Sequence, residues 1–232
     1  MQGWTGTGLA GPVPVHLPLT DQTRRCPPES SVTMPRLVDH EERRVAIIHT
    51  TWNIIATRGI ENATMRDIAR ECGYATPGII SHYFANKNEL LLAAYELICQ
   101  RTDQRIAHVL ASRRGLDALL ALCFEIIPAD ETTIAEARVA IAFWQRAQTD
   151  ESLRKIGAAA LNAWMVQISQ CLNEAKDLGE VPRELNANHA RSELINTMMG
   201  LHITSMLEPA EVTSSHQRHL VKTMINRYRS AA

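Results

Sequence analysis

The chain has 232 residues, with 24 Lys plus Arg against 25 Asp plus Glu and a formal net charge of −1. That balance lacks the overall basic signature of a non-specific nucleic-acid binder, while 45% hydrophobic residues suit a globular chain with a sizeable core. No apolar run approaches the roughly 18 residues of a membrane span, and no basic-then-apolar leader opens the chain.

Residues 1–33 hold five of the ten prolines and four of the eleven glycines. Such a stretch buries too little apolar surface to offset its ordering entropy and is expected to be a disordered extension, upstream of an alternative start at Met34. Its Gly6-Thr7-Gly8-Leu9-Ala10-Gly11 fits a dinucleotide fingerprint, but no strand precedes it and Pro12 and Pro14 follow, so it is read as coincidence. Beyond it the apolar periods are helical. Val45, Ile48, Trp52, Ile55 and Ala56 share one face. Two short helices are expected between 64 and 84. Leu90, Ala94, Leu97 and Ile98 continue through Ile106 to Leu110. Leu116, Leu119, Leu120, Cys123 and Phe124 form a stripe ended by Pro128. Ile134, Ala137, Ile141 and Trp144 form the next, and Leu153 to Leu172 the longest, to Gly179. Leu194 to Met206 and Leu220 to Tyr228 close the chain. The expectation is an all-α protein of about nine helices: a helix-turn-helix unit over 34–88 and a larger helical unit over 89–232.

The cysteines, Cys26, Cys72, Cys99, Cys123 and Cys171, are five in number, an odd count, and widely spaced. They suit neither a disulfide framework nor a thiolate metal site and read as buried thiols in a reducing cytoplasm. His216 and His219 have metal-ligand spacing but no evident third ligand. Neither HExxH, GxSxG nor a phosphate-binding glycine loop occurs, so no enzyme, metal or cofactor is implied.

Residues 59–89 carry the sharpest signal. Gly59 ends the first helix. Thr64 is a good N-cap with Asp67 three residues on, and Met65, Ile68, Ala69 and Cys72 bury one side of a two-turn helix that Gly73 stops. Thr76 is expected to cap a second short helix with Pro77 at its first position, anchored by Ile80 and Phe84. Two short helices joined by a Gly-containing turn make a helix-turn-helix, whose second helix suits the major groove.

With Gly59, Ile68-Ala69, Gly73, Gly78, Phe84, Lys87 and Leu90 in this order, the segment resembles the TetR family of bacterial transcription regulators. Ser81-His82-Tyr83-Phe84 resembles its choline-responsive, BetI-like subset. Two departures stand out: one more residue than usual between Gly73 and Gly78, and Ser81 where the family commonly has Tyr. The resemblance implies that Thr76, Pro77, Gly78, Ser81 and His82 approach base edges of double-stranded DNA. It implies that Thr64, Tyr83 and Lys87 hold phosphates, with Arg43, Arg44 and Arg66 as further phosphate candidates. Phosphate contacts position such a protein and base contacts specify sequence. Seven basic and seven acidic residues between 35 and 90 predict modest, salt-dependent non-specific affinity.

By the same resemblance the C-terminal helices make a small-molecule pocket and a homodimer interface. Phe124, Phe143, Trp144 and Trp164 are candidates for an aromatic cage around a cationic, choline-like effector, and Glu125, Gln145, Asn162 and His202 are unranked candidates for polar groups that orient a ligand. Met198, Met199, Gly200, Met206, Leu220, Met224, Ile225 and Tyr228 are the expected dimer surface. The implied function is a cytoplasmic repressor released from its operator by a ligand. The alternatives are a helical ligand-binding or scaffold protein that has lost DNA recognition, and an all-helical enzyme lacking a visible catalytic pair.

Overall fold

A computed structural model of the chain describes residues 36–230. The extension read over 1–33, its glycine motif, Met34 and Cys26 lie outside the described residues. Within them are nine α-helices, one short 3-10 turn and no strand: α1 (Arg36–Arg58), the turn Ile60–Asn62, α2 (Met65–Glu71), α3 (Gly78–Ser81), α4 (Lys87–Leu110), α5 (Gly115–Ile126), α6 (Glu131–Ala147), α7 (Glu151–Asp177), α8 (Ala187–Leu207) and α9 (Ser214–Ser230). No described helix is long and apolar enough to cross a membrane.

Side-chain caps set five of the helix starts, each oxygen taking an orphan backbone N–H. Thr64 Oγ1 accepts from the Asp67 amide at 3.1 Å, and Asn86 Oδ1 from that of Glu89 at 3.0 Å. Asp150 and Asn186 do the same for α7 and α8. Asp130 and Thr133 satisfy each other's amides in a capping box. The cap expected at Thr76 is not made. Pro77 occupies the N-cap position, and no side chain caps α3. The turn closes instead through backbone, with the Ile80 amide donating to the Pro77 carbonyl at 3.0 Å and that of Ile79 to the Thr76 carbonyl at 3.4 Å.

Two cores form. The first joins α1, α2 and α3 to the first half of α4 and to Val139, Ala142 and Phe143 of α6. The second joins Ile106, near the end of α4, to α5, α7, α8 and α9. The helix-turn-helix therefore does not have a core of its own. The boundary expected at 88 falls in the first turn of α4, a continuous helix that enters both cores. Helix α6 is fastened to the N-terminal helices twice more: Arg138 Nη1 donates to the Ala56 carbonyl at 2.5 Å, and Arg146 Nε to Asn88 Oδ1 at 3.0 Å. Cys72, Cys123 and Cys171 are buried and Cys99 is half-buried. Burial raises the Cys99 and Cys171 thiols to about 11, which keeps them protonated near neutral pH.

The turn into α5 requires glycine both for its backbone angle and for space. Gly115 has φ +55°. Its amide donates to Glu174 Oε2 at 3.0 Å, and that of Leu116 to Glu180 Oε2 at 2.6 Å, so two carboxylates sit at the positive end of α5. A Cβ at 115 would collide with the Glu180 carboxylate. Gly115→Ala should destabilise by about 2–3 kcal/mol, from left-handed strain plus the displaced acceptor. Gly179→Ala, also at positive φ (+70°) but with nothing within 4 Å, should lose only about 1 kcal/mol. Urea midpoints compare the two, and equal losses would refute the carboxylate's part.

Candidate functional site

Thr76, Pro77, Gly78, Ser81 and His82 are all exposed and form one continuous edge at α3. The opposite side of the same four-residue helix is anchored by Ile80 and Phe84, which are 0% and 1% exposed. The preceding turn is tight: Gly73 takes φ +77°, and the Tyr74 amide donates to the Ala69 carbonyl at 2.8 Å. A close match of glycine and Schellman-type closure ends α2 and aims the chain into α3.

Most of the predicted phosphate residues already have partners within the chain. Thr64 donates from its hydroxyl to Asp67 Oδ2 at 2.5 Å, and that bond holds the Asp67 carboxyl below its usual range, with Arg70 adding to it. Lys87 Nζ donates to the Ile60 carbonyl at 2.6 Å, which leaves two of its three N–H groups for a phosphate. The Tyr83 ring lies 4.5 Å from that of His40. Arg43 pairs with Asp39 at 2.9 Å, and the Arg44 guanidinium sits 5.0 Å over the Phe84 ring. Arg66 is exposed on α2 with no ion pair among the described residues. Sequence reasoning missed the Asn86 cap and the Arg58–Glu71 pair at 2.8 Å, which ties the end of α1 to the end of α2. The Asn86 signal was present in Asn86-Lys87-Asn88-Glu89, since Asn is a good N-cap. The Arg58 pair is thirteen residues apart and had no local signal.

The four candidate cage aromatics do not share one wall. Phe143 is fully buried in the first core, stacked on Tyr95 at 3.8 Å. Phe124 and Trp164 pack against the second core, with Arg218 lying 4.8 Å over Phe124. Trp144 and His202 do meet, with centroids 5.4 Å apart and planes tilted by 58°. His202 Nδ1 lies 2.8 Å from the Met198 carbonyl. A carbonyl only accepts, so Nδ1 carries the proton and Nε2 is left as an acceptor. Burial outweighs that bond and holds the His202 pKa below its ordinary value, favouring neutral imidazole.

The expected dimer residues divide. Met198, Met224, Ile225 and Tyr228 are at most 6% exposed and belong to the second core of their own chain, because the periods that mark them point inward toward α5 and α7. Gly200 is exposed, and Met199, Met206 and Leu220 are half-buried. Beside them Ile203 and Leu207 of α8 are 45% and 71% exposed, and Val166 of α7 is 47% exposed. The sequence reading named none of these three: Ile203 falls between the marked α8 positions, Leu207 comes just after Met206, and Val166 falls between the marked α7 positions Trp164 and Ile168. His216 and His219 are exposed, and no group of three or more metal-ligating side chains is assembled among the described residues.

Comparison with known proteins identifies the family. Residues 47–94 match the family profile described as bacterial regulatory proteins, tetR family, and residues 115–229 match that of the BetI-type transcriptional repressor C-terminal domain. The HTH-type transcriptional regulator PksA of Bacillus subtilis is 30% identical over 191 residues, covering 81% of this chain and 90% of PksA. The regulator BetI of Burkholderia mallei is also 30% identical, covering 78% of this chain and 92% of BetI. Among solved structures, a Rhodococcus transcriptional regulator superposes with TM-score 0.71 at 25% identity, covering 82% of this chain and 97% of its own. A Saccharomonospora viridis regulator crystallised with choline gives TM-score 0.75 at 24% identity, over 80% and 96% of the two chains. With a tetR-type helix-turn-helix, a matching helical C-terminal unit and whole-length relatives of this kind, the chain belongs to the TetR family of bacterial transcriptional regulators.

Proposed function

We propose that this regulator is a cytoplasmic repressor that binds a double-stranded DNA operator as a homodimer and is released by a small molecule. The observation that carries the reading is the exposed edge Thr76, Pro77, Gly78, Ser81 and His82, held out by the buried Ile80 and Phe84. Small and polar groups at the start of a firmly anchored helix suit entry into a major groove. The test is fluorescence anisotropy against a labelled fragment upstream of its own gene, with excess random DNA. Saturable binding that survives the competitor supports the reading, and a chain that binds no fragment selected from a random pool is a scaffold instead. Lys87→Gln should weaken binding and lower the salt slope by about one phosphate contact; an unchanged slope removes Lys87 from the phosphate set.

The second copy is proposed to cover the outer side of α8, where Gly200, Ile203 and Leu207 are exposed beside Met199, Met206 and Leu220. Apolar groups this exposed, next to a glycine that admits close approach, suit a self-complementary face. Ile203→Glu should convert the dimer to a folded monomer by light scattering coupled to size exclusion; a persisting dimer would place the interface elsewhere.

The effector is proposed to be a choline-like cation with a hydroxyl. Support comes from the meeting of Trp144 and His202: an indole face attracts a cation, and the free His202 Nε2 accepts from a hydroxyl. Adding choline to the DNA complex should lower its anisotropy, and Trp144→Leu should abolish that response while leaving DNA binding intact. Release requires that the ligand favour one conformer over the other.

A further inference from the structure

We propose that Asp67 sets how tightly the helix-turn-helix grips the DNA backbone: its carboxylate is an internal stand-in for a phosphate, occupies two donors at the start of α2, and holds down affinity for DNA of arbitrary sequence. The inference rests on DNA binding by the helix-turn-helix and not on the repressor reading. From 39 to 90 the chain has six Lys and Arg side chains, and five of them are engaged within the protein. Arg43 pairs with Asp39 at 2.9 Å, Arg58 with Glu71 at 2.8 Å and Arg70 with Asp67 at 2.7 Å. Arg44 lies over the Phe84 ring, and Lys87 donates to the Ile60 carbonyl. Among the described residues Arg66 alone of the six has no such partner.

Asp67 differs from Asp39 and Glu71 in the donors it takes. Its Oδ1 accepts from Arg70 Nη2 and its Oδ2 from the Thr64 hydroxyl at 2.5 Å. A guanidinium and a hydroxyl, one on each oxygen, are a donor set that suits a backbone phosphate equally well. The hydroxyl has a single proton, so Thr64 cannot donate to Asp67 and to a phosphate at once. The Thr64 bond, with Arg70 adding to it, keeps the carboxyl below its usual range, so it is ionised at neutral pH. The pair is also within reach of a competitor, since the Arg70 side chain is 61% exposed and that of Asp67 26%.

The first helix of a helix-turn-helix crosses the DNA backbone. A phosphate arriving there has to displace Asp67 from both donors and then sit beside its charge. An exposed ion pair is weak enough to be displaced, but the remaining carboxylate opposes the counterion release that drives non-specific binding. The α3 edge takes no part in this exchange. A larger share of operator affinity therefore has to come from the base contacts of α3, which carry the sequence information.

The test needs no operator. Full-length wild type, Asp67→Asn and the double variant Asp67→Asn, Arg70→Gln are titrated by anisotropy against a labelled duplex of random sequence, between about 50 and 200 mM salt. Asn keeps the shape and an acceptor for Thr64, and the backbone amide that Thr64 caps is unchanged, so helix content by circular dichroism should match wild type. We expect Asp67→Asn to bind at least about fivefold tighter at the low-salt end, with a salt slope steeper by about one phosphate contact per protomer. Adding Arg70→Gln should return both quantities to near the wild-type values. Asp117→Asn makes the same charge change on α5, where Asp117 pairs with Arg113, and should leave random-sequence binding unchanged. An unchanged or weaker affinity in Asp67→Asn, an unchanged slope, a gain that survives Arg70→Gln, or an equal gain in Asp117→Asn would overturn the inference. Binding by none of the proteins would overturn the DNA reading together with it.

Discussion

Phe84→Ala is expected to lower stability by about 3–5 kcal/mol, the range for deleting a buried aromatic ring, and to abolish specific DNA binding. Phe84 is 1% exposed and among the largest fully buried side chains. Its amide closes the turn after α3 by donating to the Ile80 carbonyl at 3.0 Å. A helix of four residues cannot sustain itself in water, so the position of Thr76, Gly78, Ser81 and His82 depends on what Ile80 and Phe84 fill beneath them. Phe84→Leu retains much of that volume and should cost less than half as much, with binding kept. Urea unfolding gives the stabilities and anisotropy the affinities. A Phe84→Ala protein that bound operator like the wild type would show that the core does not place the recognition helix.

Glu136→Ala should cost about 2–3 kcal/mol and loosen α6 from α4. Its side chain is 7% exposed and grips the Arg105 guanidinium with both oxygens. Breaking a buried ion pair by removing one partner costs roughly 3–5 kcal/mol. The lower figure applies because Arg105 is 30% exposed and keeps Glu125, so water and the second carboxylate screen part of the loss. A double-mutant cycle with Arg105→Ala should show coupling above about 1 kcal/mol, whereas additive losses would mean that the pair contributes only by packing. Arg138 and Arg146 of the same helix hold the Ala56 carbonyl and Asn88. Glu136→Ala should therefore also quicken hydrogen exchange at the C-terminal end of α1.

Sequence periodicity located the helices because each has one buried face and one wet one. Val45 to Ala56 predicted α1, although the helix begins as early as Arg36. There the polar run Asp39-His40-Glu41-Glu42 carries no apolar period. The caps at Thr64 and the stop at Gly73 were legible because capping is a contact between near neighbours. Thr76 was misplaced by one position, since Thr-Pro leaves open which residue is the cap. The residues expected at a dimer surface show the limit of periodicity most plainly. Met198 and Met224 mark the apolar face of their helices, and in a single chain that face is the core; the outward Ile203 and Leu207 break the period instead of making it.

Local chemistry in the sequence thus determined the all-helical class, the helix-turn-helix with its capped α2 and glycine-closed turn, and the exposed groups of α3. These depend on contacts within about four residues of one another. Only the tertiary structure decided the rest. It put α6 into the core beneath the helix-turn-helix, paired Arg105 with two helices 20 and 31 residues away, brought Trp144 to His202 across 58 positions, and separated the other aromatics between two cores. Such partners are chosen by which faces pack when the chain collapses, and no spacing along the sequence encodes that choice.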